Sequence, residues 1–266
     1  MDGGAPLDVA GLGVALAGRP LVQGVSLRLE PGQSVALLGA SGSGKSLTAL
    51  AVLGLLGPPF AVTGALRVAG EELPWRQPPG RRPGMAAVFQ DPQTALNPVV
   101  RLDRQLVPPV ARRRGLRTRD ARAVLRELLA GMGFEDPARV LAAAPAELSG
   151  GQRQRACLAL AMAASPGVLV ADEPTTALDT VSQHQVLTAL RRCTGPGRSA
   201  LLFITHDLPV AASLCERAVV LDGGRVVETG PMSRILSSPR APFTASLVAA
   251  AHAVRPERRI PAGAAS

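Results

Sequence analysis

Residues 39–46 read Gly-Ala-Ser-Gly-Ser-Gly-Lys-Ser and fit the pattern G-x-x-x-x-G-K-[ST]. They stand between a run that reads as a strand (34–39, SVALLG) and one that reads as a helix (45–56). The glycines let the backbone curl so that successive N–H groups turn inward toward phosphate oxygens. The helix that opens behind them adds the partial positive charge of its N-terminus at the same point. Lys45 is the only lysine in a chain that otherwise writes arginine, 28 times. A compact ammonium on a flexible stem fits such a loop and reaches the β- and γ-phosphates of a nucleotide. A wide planar guanidinium is no substitute there. Gly39, Ala40, Ser41, Gly42, Ser43, Gly44, Lys45 and Ser46 therefore form the candidate phosphate site, with the Ser46 hydroxyl on Mg²⁺.

The rest of the sequence supplies a sheet for that loop. Short apolar runs closed by turn or polar residues recur at 34–39, 85–90 (MAAVFQ), 167–173 (GVLVADE), 199–206 (SALLFITH) and 218–224 (AVVLDGG). Such runs fit strands buried on both faces of a mostly parallel sheet. Helical patterns fall between them at 45–56, 152–164, 180–192 and 207–215, which predicts a layered α/β fold. LDVAGLGVAL, VSLRLE and ALRVAG (65–70) alternate more loosely and read as an antiparallel β flank. Residues 92–150 hold Pro108-Pro109, a dense set of arginines and the helical run 119–133, and read as a helical insert. One domain is expected over 7–248, its core at about 7–90 and 164–235 and its helical insert at about 92–163. An Ala/Pro-rich tail follows at 249–266, and partial disorder is expected from Pro239 onward.

Composition removes some classes. Tyr is absent and aromatics make up 2% of the chain, so the core must be built from Ala, Val and Leu. Cys157, Cys193 and Cys215 are scattered without a CxxC pair, which fits a reducing interior rather than a disulfide framework. No basic segment followed by an apolar run opens the sequence, so no signal peptide is expected. The uncharged stretch Ser46–Leu66 is long enough to span a bilayer, but Gly57-Pro58-Pro59 breaks it. It reads as a buried helix and a turn in a soluble chain. The net charge of +9 suits a polyanion or an anionic surface, and equally an arginine bias without purpose.

At the tip of the run 167–173 stand Asp172 and Glu173. With a phosphate loop upstream, Asp172 is the candidate for the magnesium shell and Glu173 for orienting or deprotonating an attacking water. One further stretch, LSGGQRQRACLALAMA (148–163), resembles the signature of the ATP-binding-cassette ATPases. The resemblance extends over roughly residues 7–248, with the family's motifs in the family's order. It implies a P-loop NTPase fold of the RecA-like kind and the binding and hydrolysis of ATP with Mg²⁺. Gln90 in VFQDP then corresponds to the Q-loop, contacting ATP and the metal. Ala177-Leu178-Asp179 corresponds to the D-loop, and His206 in FITHD to the switch histidine beside the γ-phosphate, Glu173 and water. Leu148, Ser149, Gly150, Gly151 and Gln152 are implied to clamp ATP bound by a partner subunit. As plain sequence, Ser149 is an ordinary helix cap. The family often stacks adenine on an early aromatic residue. The matching Val14-Ala15-Leu16 has none, which leaves apolar contact with Leu16 or Val22.

Within that family, QDPQTALNP (90–98) and SSPRAPFTASLVAA (237–250) resemble the ATPases of peptide and nickel import. In the second segment Pro239, Pro242 and Thr244 match, while Ala241 and Phe243 depart. RPLVQGVSL and SLTALAVLGLL resemble the first ATPase of the nickel-import pair. The lack of a C-terminal cysteine cluster tilts the expectation toward nickel, a metal–opine complex or short peptides. The implied partners are a second ATPase subunit, different or identical, two membrane permeases and, indirectly, an extracytoplasmic binding protein. The implied place is the cytoplasmic face of the inner membrane, held peripherally. A soluble ATPase acting on DNA or the ribosome would suit the charge. The single cassette and the scarcity of aromatic residues weigh against it, and no nucleic acid is expected. A small-molecule kinase fails on LSGGQ. The arginine run 112–126 reads as a solvated helix face, with anionic lipid or a permease as the alternative contact.

Overall fold

The computed structural model describes residues 5–76, 82–92 and 95–253. The tail from 254, residues 93–94 of the 90–98 run, and the first four residues lie outside them. In chain order the first elements are β1 (Leu7–Leu16), β2 (Arg19–Leu29), β3 (Ser34–Leu38), α1 (Lys45–Val52), β4 (Phe60–Val68), β5 (Glu71–Glu72) and β6 (Met85–Val88). Helices α2 (Leu102–Arg114), α3 (Thr118–Gly131), α4 (Pro137–Ala142) and α5 (Gly150–Met162) follow. Then come β7 (Val168–Asp172), α6 (Thr180–Cys193), β8 (Ala200–Thr205), α7 (Leu208–Leu214), β9 (Arg217–Asp222), β10 (Arg225–Pro231), α8 (Met232–Ser237) and α9 (Pro242–Ala253).

Two sheets result. The flank is antiparallel in the order β2-β1-β4-β5, and the central sheet runs β10-β9-β3-β8-β7-β6 with only β10 antiparallel. Side chains alternate across the central strands with a period of two. Val35 and Leu37 of β3, Val170 of β7 and Leu202 of β8 pack toward the flank and α1. Ala36, Leu38, Leu169, Ala171 and Phe203 pack the other way, against the helices. Both faces are thus apolar, which is why these strands read as unbroken hydrophobic runs.

Parallel register is what assembles the site. Leu38 pairs with Thr205, Asp172 with Ile204, and Val88 with Ala171. The carboxyl ends of β3, β8, β7 and β6 therefore lie side by side, and the residues just beyond them meet along one edge of the sheet. Those residues are the phosphate loop, His206, Glu173 and Gln90.

Between β6 and β7 the chain is helical. In α3, Ala121, Leu125 and Leu129 recur every four residues and are buried, so one stripe faces the core. Helix α2 runs through Pro108 and Pro109, which cannot donate to the carbonyls of Arg104 and Gln105. Both prolines lie on the exposed side, where those carbonyls can bond water.

The expectation of partial disorder from Pro239 is corrected as far as Ala253. The Glu228 carboxylate, 4% exposed, accepts from the backbone N–H of Arg240 at 3.0 Å and of Ala241 at 3.0 Å, tying down the entry to α9. Burial pushes this carboxyl up, but the two backbone donors together with the Thr244 hydroxyl and the nearby Arg234 charge hold it below the usual range. Thr244 and Val248 are buried, so the helix docks although its composition suggests a loose tail. Among the described residues no helix is long and apolar enough to cross a membrane. The three cysteines are free thiols.

Candidate nucleotide-binding site

The loop from Gly39 to Gly44 needs backbone that only glycine adopts readily. Gly42 has φ +80° and Gly44 φ +98°, both left-handed. Gly44 is the N-cap of α1 and supplies no side chain there, so the first-turn N–H groups are free to meet an anion. Lys45 lies 6% exposed and folds back over the loop, donating from Nζ to the carbonyls of Gly39 (2.9 Å) and Ala40 (2.8 Å). Burial lowers its pKa, while Glu173 and Asp172 pull it back up. The cation therefore stands in a desolvated place with two carboxylates near it.

Asp172 ends β7 and is buried; its Oδ1 accepts from the Ser46 hydroxyl at 3.3 Å. Burial pushes its carboxyl up, Glu173 adds to the push, and the Ser46 hydroxyl and Lys45 oppose it. A hydroxyl and a carboxylate in contact, with the Gln90 amide on the same cleft, make a hard-oxygen donor set. Among the described residues no group of three or more His, Cys, Asp or Glu could hold a metal. The set thus fits Mg²⁺ whose remaining positions are filled by phosphate and water.

Glu173 has φ +50°, a left-handed conformation that costs a non-glycine residue about 1–3 kcal/mol. Three contacts hold it there. Its N–H donates to the Ile204 carbonyl (2.9 Å), and Oε2 accepts from the Thr176 hydroxyl (2.6 Å). Oε1 meets Nδ1 of His206 at 2.8 Å. Where the carboxylate accepts this bond, Nδ1 carries the hydrogen and Nε2 is left for another partner. Thr176 was not singled out from the sequence. The only signal was a Thr-Thr pair just after Asp172-Glu173-Pro174.

These groups line one cavity of about 410 Å³, walled by Ser41, Gly42, Gly44–Leu47, Gln90, Glu173, Thr176 and His206. A larger one of about 590 Å³ lies under α4 and the start of α5. Volume does not choose between them; the convergence of a buried lysine, the Glu173 carboxylate and a histidine on one wall does, with Asp172 bonded to the Ser46 that lines it. Val22 cannot serve an adenine, because it is 1% exposed and packed against Gly44. That expectation is withdrawn, and of the two residues named only Leu16 keeps an exposed part.

Leu148–Gln152 and Asp179 do not line this cavity. Ser149 forms a reciprocal cap with Gln152: Oγ accepts from the Gln152 N–H (3.2 Å), and Gln152 Oε1 accepts from the Ser149 N–H (2.9 Å). Asp179 caps α6 through the Ser182 N–H at 2.9 Å. The two helix starts are pressed together at Gly151, where a Cβ would stand 2.6 Å from Ser182 Cβ. Gln154, also unflagged in the sequence, reaches from α5 to the Phe89 carbonyl at 2.9 Å, next to Gln90. Gly151→Ala should therefore destabilise the fold by about 1–3 kcal/mol, lowering Tm by several degrees in a thermal melt. Gly150→Ala meets only the flexible Leu178 Cδ2, at 3.2 Å, and should cost little. Equal melting temperatures for the two variants would remove the argument for this helix contact.

Comparison with known proteins places the chain among relatives. The family model described as "ABC transporter" matches residues 22–176. The chain is 38% identical over 259 residues to a putative peptide import ATP-binding protein of Brucella ovis, covering 91% of this chain and 76% of that one. It is 39% identical over 245 residues to the probable D,D-dipeptide transport ATP-binding protein DdpD of Escherichia coli, covering 89% and 73%. Among solved structures it is similar to the ATP-binding cassette MJ0796, described as dimeric, post-hydrolysis and bound to ADP and Pi. That match has a TM-score of 0.71 at 25% identity and covers 85% of this chain and 98% of the other.

Proposed function

The chain belongs to the ABC transporter family as one of its ATP-hydrolysing domains, and from that premise we propose that it energises the import of short peptides. The observation that carries the chemistry is the cleft where Lys45, the Ser46–Asp172 pair and the Glu173–His206 pair converge. The loop N–H groups and Lys45 hold the phosphates. Ser46, Asp172 and Gln90 would hold Mg²⁺, which when bound would neutralise phosphate charge. Glu173, fixed by Thr176 and His206, orients water and accepts its proton. His206, with Nδ1 on Glu173 and its ring on the cleft wall, would offer Nε2 to the transferred phosphoryl group. Leu148–Gln152 and Asp179, outside this cleft, act on the nucleotide of a partner ATPase, different or identical.

Peptides stand ahead of nickel or a metal–opine complex because the relatives that match over most of the chain carry peptide names. The proposed assembly adds two permeases and an extracytoplasmic binding protein, with this subunit held peripherally at the cytoplasmic membrane face. The single lysine gives a direct test. An amine-directed reagent should label Lys45 besides the N-terminus, and MgATP should protect Lys45 alone, as read by peptide mass mapping. Equal labelling with and without MgATP would refute the assignment. Uptake of labelled dipeptide, lost on deletion of this gene while nickel uptake is unchanged, would separate the cargoes; the reverse pattern would overturn the peptide reading.

A further inference from the structure

The formal charge of +9 is not spread along the chain. Residues 101–126 carry nine arginines against Asp103 and Asp120, a net +7, which leaves +2 for the other 240 residues. A bias in codon usage would not concentrate charge in this way. The fold then turns the charge outward. Helices α2 and α3 bury Leu102, Leu106, Val110, Ala121, Leu125 and Leu129, and all nine arginines are exposed.

Three of them have structural partners. Arg101 and Arg122 share Asp103 Oδ2 at 2.8 and 3.0 Å, and Arg114 donates to the Ala163 carbonyl and the Ser165 hydroxyl. The remaining six, Arg104, Arg112, Arg113, Arg117, Arg119 and Arg126, meet no carboxylate within ion-pair distance among the described residues. Arg101, Arg104, Thr118 and Arg122 also rim a solvent-facing hollow of about 330 Å³ between the two helices.

We propose that this face docks on anionic lipid headgroups of the membrane that holds the permeases. The inference rests on the importer reading above for the presence of that membrane. The chemistry favours lipid over nucleic acid: no aromatic residue lies in 101–126 to stack a base. Just before the patch, Val99 is 79% exposed, an apolar side chain suited to the boundary between headgroups and acyl chains. Six unpaired guanidiniums over two helices make a broad field. Such a field matches a charged surface better than the few fixed carboxylates of a protein loop.

The test uses the whole purified chain, sedimented with vesicles of phosphatidylcholine alone or mixed with phosphatidylglycerol, at physiological salt. Binding should require phosphatidylglycerol and weaken as salt rises. The variant R112Q/R113Q/R117Q/R119Q removes four unpaired charges and no contact described above. At about fivefold per charge, it should bind several hundredfold more weakly. Its melting temperature and MgATP affinity should match the wild type, which shows that it folds. Undiminished vesicle binding by the variant, equal binding to neutral vesicles, or retention by RNA but not by vesicles would each overturn the inference. A wild-type chain that binds MgATP yet ignores phosphatidylglycerol defeats this inference alone. One that binds vesicles but no MgATP defeats the ATPase reading instead.

Discussion

Glu173→Gln should bind MgATP with near wild-type affinity and hydrolyse it about 10²–10⁴-fold more slowly. The amide keeps the shape of the side chain, so the left-handed turn and the contacts with Thr176 and His206 can largely survive. What is lost is the group that takes a proton from water. The phosphate loop, with Lys45 on the carbonyls of Gly39 and Ala40, is untouched. Single-turnover hydrolysis and nucleotide binding, measured on the same preparation, separate the two effects. Wild-type turnover would rule out Glu173 as the base, and loss of binding would mean that the carboxylate builds the loop rather than the chemistry. His206→Ala should slow the same step less, because Thr176 still holds one oxygen.

Lys45→Arg should weaken MgATP binding by at least about a hundredfold even though the charge is kept. The ammonium sits 2.9 and 2.8 Å from two backbone carbonyls in a residue only 6% exposed. A planar guanidinium with five donors cannot occupy that space without opening the loop. Calorimetric titration gives the affinity. A variant that binds MgATP as the parent does would show that charge alone, not the compact ammonium, is what the loop requires.

The contrast between these two residues shows what was readable beforehand. The phosphate loop is eight consecutive residues, and its chemistry is local, so its sequence announces its structure. The Asp172-Glu173 pair and His206 are more than thirty residues apart in the chain, yet the pair and the histidine each close an apolar run, and a parallel sheet must bring such ends together. The clasp on Glu173 was not readable. It depends on a positive φ at a non-glycine residue and on a threonine three positions on, neither of which has a pattern. The order of α9 was hidden for a related reason: Ala- and Pro-rich composition reads as loose, while the anchor is Glu228, on another element. Strand β10 lies beyond the run read at 218–224: Gly223-Gly224 turns the chain into a two-residue hairpin in which Arg225 pairs with Asp222. The charge of 112–126 is legible as a run, but its extension back to Arg101 and its outward presentation come only from the buried stripes of α2 and α3.

Hydrolysis is proposed to be shared, with Ser149 of one subunit serving the phosphate loop of another. Light scattering on Glu173→Gln tests it most directly, with MgATP and with any second ATPase encoded beside this chain either absent or added. MgATP should drive stable association, with a second copy or with that partner. Adding Ser149→Arg to the same chain should abolish the association while ATP stays bound. The opposite result is a Glu173→Gln subunit that binds MgATP tightly and remains monomeric whatever partner is supplied. It would contradict the claim and assign Leu148–Gln152 to nothing beyond the cap that Ser149 and Gln152 already form.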